Sequence, residues 1–198
     1  MKSICVFCGS AKGNRPEYLD AARELGRLMG QQQLTLYYGG ANVGLMGAVA
    51  DACLAEKGKV VGVLPEFIRN HEIAHTQLTE LKLVDTLFAR KGLLIEEADA
   101  FVALPGGLGT LDELLEVWTW AQLNQIKNKP VAILNTLGFY DHLLGMTQHA
   151  QQEGFIRQPV LDYLIVETTP KKLLEQLCQP CRPLENFQNK VAHAKGFR

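Results

Sequence analysis

The stretch that decides the fold is a short apolar run followed by a glycine-rich turn: Ala100-Phe101-Val102-Ala103-Leu104-Pro105-Gly106-Gly107-Leu108-Gly109-Thr110. The apolar run predicts a buried strand over residues 101–104, and helical spacing begins at Thr110. Such a turn leaves backbone N–H groups free at the positive end of a helix dipole, and glycine lets an anion come close. Residues 105–110 therefore predict a phosphate site.

Strands and helices alternate along the rest of the chain. Apolar runs predict strands over residues 4–8, 34–38, 59–64, 78–84, 101–104, 131–134 and 163–166. Helical spacing predicts helices over residues 16–29, 45–54, 86–98, 110–125, 140–153 and 170–177. This alternation indicates an α/β, Rossmann-like parallel sheet with helices on both faces. No linker divides the chain, so we expect one domain over residues 1–198 with a loosely held tail from about residue 180.

The composition excludes several classes of partner. The chain has 198 residues, is 47% hydrophobic and carries a formal net charge of -1, which gives no general attraction to nucleic acid or to an anionic membrane. No apolar run approaches the roughly 18 residues that span a bilayer. The first residues lead directly into a strand and leave no room for a signal peptide. Five scattered cysteines read as reduced thiols, so we expect a cytoplasmic protein.

The cysteines and histidines do not form a metal-binding pattern. Cys5 and Cys8 lie in a predicted strand, where their side chains point to opposite faces. Cys178 and Cys181 have no second pair, and the histidines and glutamate of residues 71–75 do not follow the H-E-x-x-H spacing. We therefore predict neither a metal site nor a redox role.

A second glycine-rich turn follows the second predicted strand. Its Gly40-x3-Gly44-x2-Gly47 spacing is a loosened dinucleotide fingerprint, and Glu66 lies about 20 residues further on, where a ribose-binding acid would stand. The spacing departs from G-x-G-x-x-G, so hydride transfer is the weaker alternative. Two glycine turns at the carboxyl edge of one sheet favour a nucleotide or sugar-phosphate ligand.

The predicted helix after the 105–110 turn has two kinds of face. Leu111, Leu114, Leu115 and Trp118 form an apolar stripe, whereas Glu113 and Glu116 lie on another face with Trp120. We place Glu113 in the first helical turn, beside the phosphate site, where the helix dipole favours its ionised form and suits it to act as a base or cation stabiliser. Solvated surface glutamates are the ordinary alternative.

Arg90 and Lys91 begin the preceding predicted helix. Arginine can bind a phosphate or carboxylate with two N–H groups, and lysine supplies a point charge. The ordinary alternative is a solvated basic pair on the helix surface.

Taken together, these segments resemble a known family. Residues 98–113 with Arg90-Lys91 upstream, residues 119–123, residues 129–131 and the Tyr38-Gly39-Gly40 turn are similar to the LONELY GUY (LOG) family of cytokinin riboside 5′-monophosphate phosphoribohydrolases, often mislabelled as lysine decarboxylases. The resemblance covers roughly residues 3–166. It implies a Rossmann-like fold, a homodimer, no cofactor, and hydrolysis of nucleoside 5′-monophosphates (a cytokinin riboside 5′-monophosphate or AMP) to free base and ribose 5-phosphate.

The resemblance also implies residue roles. It makes Arg90 and Glu113 the catalytic pair. The residues that it and the turn together assign to substrate binding are Glu72, Lys91, Gly106, Gly107, Leu108, Gly109, Thr110, Glu116 and Thr119. The chain departs from many relatives at Leu87-Phe88-Ala89, where they often read Met-His-Glu or Met-His-Gln, and this change concerns base preference.

Two other functions remain open at the level of sequence. A non-catalytic nucleotide or molybdenum-cofactor carrier would use the same scaffold without turnover. Lysine decarboxylation would need a Schiff-base lysine and a partner for the pyridinium nitrogen of pyridoxal phosphate, and no such constellation is visible.

Overall fold

The computed structural model describes residues 1–69, 74–126, 128–181 and 184. Within them, seven parallel strands form one sheet. The strands are β1 (Ser3–Phe7), β2 (Thr35–Tyr38), β3 (Val60–Pro65), β4 (Glu80–Val84), β5 (Phe101–Ala103), β6 (Val131–Leu134) and β7 (Leu164–Glu167), and they lie in the order β4-β3-β2-β1-β5-β6-β7. The predicted α/β, Rossmann-like parallel sheet is confirmed.

Eight α-helices connect or follow the strands in the described part of the chain. They are α1 (Pro16–Gln31), α2 (Gly44–Ala55), α3 (Glu66–Arg69), α4 (Leu87–Glu97), α5 (Leu108–Gln122), α6 (Asp141–Gln152), α7 (Gln158–Tyr163) and α8 (Pro170–Leu177). The sequence did not predict α3 and α7, because helices of four and six residues are too short to show a 3.6-residue period. The sequence predicted that Tyr163 begins β7. In the structure Tyr163 instead ends α7, and β7 begins at Leu164.

The sheet separates two hydrophobic clusters. One cluster packs α1, α2 and α8 against one face, and the other packs α4, α5 and α7 against the opposite face. The central strand β1 serves both, since Ile4 and Val6 belong to the first cluster whereas Cys5 and Phe7 belong to the second. This two-residue alternation confirms that Cys5 and Cys8 face opposite sides of the sheet, because Cys8 lies in the first cluster.

The strand order reverses between β1 and β5, so the carboxyl ends of these two strands lie side by side. The N–H of Gly9, after β1, donates to the carbonyl of Pro105, after β5, at 3.1 Å. Open α/β sheets bind ligands at this position. The fold therefore brings the 105–110 turn to the place where a ligand is expected.

Helices α1 and α2 approach so closely that glycine is required between them. A methyl group at Gly26 would overlap the carbonyl oxygen of Val49. A methyl group at Gly30 would lie 2.7 Å from the carbonyl oxygen of Cys53. The distance between the two helices is thus set by backbone-to-backbone contact.

Among the described residues, no helix combines the length and the apolarity that crossing a bilayer requires.

The space around each glycine predicts opposite effects for two glycine-to-alanine changes, one between α1 and α2 and one in α6. Gly26→Ala should lower the melting temperature, since the new methyl must push α2 away, at a cost of about 1–3 kcal/mol. Gly145→Ala, in an exposed part of α6 with open space around the added methyl, should instead raise stability by about 0.4–1 kcal/mol. Thermal denaturation of both variants checks the pair, and equal effects would contradict it.

Candidate active site

Two charged side chains from adjacent helices meet near the carboxyl edge of the sheet. Arg90 lies in the first turn of α4, and its Nη2 is 3.1 Å from Oε1 of Glu113 on α5. The side chains are only 18% and 10% exposed, so this is a largely buried ion pair. The structure thus brings the two predicted catalytic residues together.

Glu113 does not occupy the position that the sequence predicted. Helix α5 begins at Leu108 and not at Thr110, so Glu113 lies in the second turn, and the predicted first-turn position is wrong. The helix dipole was expected to favour the ionised form, but burial raises the pKa of Glu113, and the nearby Arg90 guanidinium opposes that rise. A carboxylate with a raised pKa is a stronger proton acceptor, which suits general base catalysis.

Arg90 lies over the backbone of the turn after β2. A methyl group at Gly39 would overlap its Nη2, so a side chain there would push the guanidinium aside. Its buried Nε has no hydrogen-bond partner among the described residues. Arg90 therefore keeps a donor available beside Glu113.

Lys91, the next residue, pairs with two carboxylates of α5. Its Nζ is 3.0 Å from Oε2 of Glu116 and 3.2 Å from Oδ2 of Asp112. Burial by itself lowers the pKa of Lys91, but the hydrogen bonds that its ammonium donates to these two carboxylates raise the pKa overall. Glu116 is accordingly a half-buried ion-pair partner and not a solvated surface residue.

The start of α5 lacks a side-chain cap. Gly107 is the N-cap residue, and no side chain of a described residue accepts a hydrogen bond from the first turn. Helix α4 differs, because the Thr86 hydroxyl accepts from the Ala89 N–H at 3.0 Å. There is open space beside Gly107 and Gly109, while the Leu108 side chain is 86% exposed. The free N–H groups and open approach suit an anion.

Gly106 and Thr110 complete this turn by packing against each other. A methyl group at Gly106 would overlap the Thr110 hydroxyl and lie 2.8 Å from the Gly9 nitrogen. Thr110 is buried, at 4% exposure. These two residues hold the turn against the loop that follows β1.

Two predicted substrate-binding residues are not placed beside the Arg90–Glu113 pair. Glu72 lies outside the described residues. Thr119 is exposed and lines a small cavity of about 100 Å³ with Leu115, Trp118, Gln122, Thr147, Ile156 and Val160. At about 100° per residue, Thr119 lies roughly 120° around α5 from Glu113, so within one chain it faces elsewhere.

The predicted apolar stripe of α5 needs a similar correction. Leu114 and Trp118 are buried, but Leu115 is 41% exposed, and Val117 and Ala121 are buried in its place. The predicted stripe was therefore rotated around the helix relative to the buried face. A run rich in leucine does not show which of its leucines faces the sheet.

The glycines of the second turn lie in close contact with other parts of the chain, although the turn also lines the groove beside α1 and α2. Gly44 has φ +56°, a left-handed conformation that favours glycine, and a methyl group there would overlap the Ser10 backbone. A methyl at Gly47 would lie 2.7 Å from the Asn42 side-chain oxygen. Glu66 begins the short helix α3 and is exposed. This turn serves packing, so the geometry gives no support to the dinucleotide fingerprint.

Among the described residues, neither a cluster of metal ligands nor a reactive thiol lies beside the pair. Across the part of the chain that the structure describes, no three or more His, Cys, Asp and Glu residues are grouped as metal ligands. Burial, and then the charge of Glu113, raise the pKa of the Cys5 and Cys8 thiols well above the usual range. A thiol that stays protonated is a poor nucleophile.

Cavity volume does not identify the site. A groove of about 740 Å³ lies between α1 and α2, and one of about 760 Å³ lies at the amino edge of the sheet beside Cys178 and Cys181. Neither is lined by Arg90 or Glu113. The buried ion pair beside an uncapped helix start is the stronger indication, because perturbed carboxylates cluster at functional sites.

Comparison with known proteins gives the family. A family model described as "Possible lysine decarboxylase" matches residues 46–177. A probable cytokinin riboside 5′-monophosphate phosphoribohydrolase, LOGL2 of Oryza sativa subsp. japonica, is 44% identical over 176 residues, which cover 89% of this chain and 72% of that protein. The LOG1 phosphoribohydrolase of Arabidopsis thaliana is 43% identical, with 89% and 82% covered. The chain belongs to the LOG family.

A solved structure adds evidence on the fold of this LOG family member. The molybdenum cofactor binding protein of Rippkaea orientalis superposes with a TM-score of 0.67 at 24% identity, covering 89% of this chain and 96% of that one. At this identity the likeness shows the shared fold alone.

The raised pKa of Glu113 predicts how its amide variant depends on pH. A carboxyl whose pKa is higher in the folded state stabilises the fold at low pH, and this contribution is lost as the pH rises through the folded-state pKa. The melting temperature of Glu113→Gln relative to wild type should therefore rise between pH 4 and pH 8, by about 2–4 °C for each 1 kcal/mol. A constant or falling difference would contradict the pKa direction.

Proposed function

We propose that this chain hydrolyses the N-glycosidic bond of nucleoside 5′-monophosphates, releasing free base and ribose 5-phosphate. The observation that carries the proposal is the buried Arg90–Glu113 pair, 3.1 Å apart, beside the uncapped start of α5. The LOG relatives, named for this activity on cytokinin riboside 5′-monophosphates, support it. Both those nucleotides and AMP are proposed as substrates.

One nucleotide spans the anion site and the carboxylate. The phosphate binds the N–H groups of Gly107, Gly109 and Thr110 at the start of α5, with Lys91 close by. Glu113 lies three residues after Thr110, about 4.5 Å further along the helix axis. Side chains in a helix tilt back toward its N-terminus. The carboxylate thereby reaches the ribose of the nucleotide whose phosphate the turn holds.

Cleavage of the ribosyl C–N bond builds positive charge on the sugar, as in glycoside hydrolysis. The Glu113 carboxylate stabilises that charge and accepts a proton from the water that attacks C1′. The electrons of the C–N bond pass to the base, and the base takes up a proton from solvent as it leaves. Glu113 returns the proton it accepted to solvent, so one water is consumed for each bond cleaved. Arg90 anchors the nucleotide and assists the departure of the base with its N–H groups.

The alternative functions fit these contacts less well. A carrier of nucleotide or molybdenum cofactor needs an anion site, but it gains nothing from a buried carboxylate beside that site. A decarboxylase needs a neutral lysine to form a Schiff base. Lys91, adjacent to Arg90, has its pKa raised by Glu116 and Asp112 and stays protonated.

We further propose a cytoplasmic homodimer. Leu108, Leu115 and Leu123 are 86%, 41% and 44% exposed along one side of α5, a spacing of seven and eight residues that forms a continuous helix face. Thr119 lies on the same side, so a second copy packed there would cover it. No two of the five cysteines, all of which are described, form a disulfide, in keeping with a reducing compartment.

The activity predicts a specific defect for Glu113→Gln. Wild type should release adenine from AMP and isopentenyladenine from its riboside monophosphate, and the variant should lose about 10²–10⁴-fold in kcat, since the proton acceptor is gone. Adenosine should be a poor substrate, because it lacks the phosphate that positions the sugar. Chromatography of released base measures all of these.

The matched control is Glu175→Gln, an exposed carboxylate of α8, which should behave as wild type. Equal base release by wild type and Glu113→Gln would overturn the assigned role. Thermal stabilisation by AMP with no base release would favour a carrier, and an absorbance band of bound pyridoxal phosphate would favour a decarboxylase.

If the exposed face of α5 forms the dimer interface, a charged residue placed in that face should convert the dimer to a monomer. Leu115→Glu places a carboxylate in the middle of the exposed face of α5 and should shift the protein to half its mass in sedimentation. Leu137→Glu, on the exposed turn after β6, should leave the assembly unchanged. A wild-type protein that sediments as a monomer would contradict the proposal.

A further inference from the structure

His75 is a buried residue outside the predicted catalytic set, and its hydrogen bonds define its tautomer. Its Nε2 is 2.9 Å from Oδ1 of Asp51 on α2, and the Gln77 N–H donates to its Nδ1 at 3.1 Å. A backbone N–H can only donate, so Nδ1 is unprotonated and Nε2 carries the proton that is donated to Asp51. The residue is 3% exposed and uses both ring nitrogens.

The backbone around His75 is attached to the turn that follows β2. Its N–H donates to the carbonyl of Gly40 at 2.9 Å, and Ala74 forms an antiparallel bridge with Ala41. His75 therefore joins three parts of the structure. Its imidazole bonds helix α2 through Asp51 and the segment before β4 through the Gln77 N–H, and its backbone N–H bonds the Gly39–Gly40 turn.

The other side of this turn carries Arg90. The guanidinium lies so close to Gly39 that a methyl group there would overlap Nη2. The turn also packs closely against β3, because a methyl group at Gly62 of β3 would lie 2.7 Å from the Gly40 Cα. The turn is thus in close contact with β3 on one side and with the guanidinium on the other, so its position limits where the guanidinium can lie.

We propose that His75 is a positioning residue of the active site. Together with Asp51 it holds the Gly39–Gly40 turn where the Arg90 guanidinium meets Glu113, and it acts through the Gly40 carbonyl and Gly39. This inference rests on the proposed hydrolase activity, because it assigns His75 to the placement of the residue that assists the leaving base.

A positioning role and a purely structural role differ in what they predict. Loss of a structural contact lowers thermal stability and leaves the turnover of the folded protein unchanged. Loss of a positioning contact lowers kcat, since a misplacement of about 1 Å can cost about 10²-fold. The KM for AMP should change less than kcat. Arg90 contributes to anchoring the nucleotide, but the phosphate binds at the start of α5, with which His75 forms no hydrogen bond among the described residues.

The experiment measures kcat and KM for base release from AMP in His75→Phe and His75→Gln. The phenyl ring keeps the volume but loses both hydrogen bonds, and we expect a loss of about 10-fold or more in kcat with KM within about threefold of wild type. The glutamine amide places a donor near the former Nε2 and should restore a large part of kcat.

Three further variants test whether His75 acts through Arg90 and Asp51. In an Arg90→Lys background, His75→Phe should cause little additional loss, because residues that act through one another are not additive. Asp51→Leu, on a side chain that is 61% exposed and so tolerated by the fold, should lower kcat in the same direction even where His75→Phe fails to fold. Tyr163→Phe loses a hydroxyl bond to the Lys129 carbonyl at the opposite edge of the sheet and should leave kcat unchanged.

The outcomes distinguish this inference from the proposed function. Wild type that releases no base overturns the hydrolase, and the positioning role with it. Active wild type together with a His75→Phe variant of unchanged kcat overturns the positioning role alone. A loss confined to KM, or a full additional loss in the Arg90→Lys background, also overturns it.

Discussion

The geometry of the candidate site depends on keeping a largely buried arginine and glutamate in contact. Removing two charges from water costs several kcal/mol per ion, and their attraction repays this only when the geometry is good. The 3.1 Å contact between Arg90 and Glu113 therefore constrains how α4 and α5 lie against each other on the sheet. A buried ion pair need not add net stability, so the presence of this pair is better explained by chemistry than by folding.

Several features outside the pair can be understood as meeting this constraint. Glycine at position 39 leaves room for the guanidinium, and Lys91 offsets the charge of Asp112 and Glu116 next to Glu113. The reversal of strand order between β1 and β5 brings the start of α5 beside the loop after β1. The proposed anion site and the carboxylate with the raised pKa thus belong to one helix, which fixes the distance between them.

The sequence predicted elements whose signals are local. The seven strands appeared as apolar runs, and the 105–110 turn was recognised because glycines between a strand and a helix have a direct physical meaning. Prediction failed where the signal is not local. Glu113 was placed one turn too early because glycine obscures where a helix begins, and Leu115 was placed in the core although it is 41% exposed. Gly39 was seen as a turn residue, and nothing in its neighbours pointed to Arg90.

The sequence by itself determined the succession of strands and longer helices along the chain, the glycine turn and the identity of the charged residues. It could do so because periodicity and backbone freedom act over a few neighbouring positions. Only the tertiary structure decided that Arg90 meets Glu113 across 23 positions of chain, that burial raises the pKa of Glu113, and that His75 joins Asp51 to the turn beneath Arg90. Burial and charge-to-charge distance are properties of the packed chain, and no local pattern encodes them.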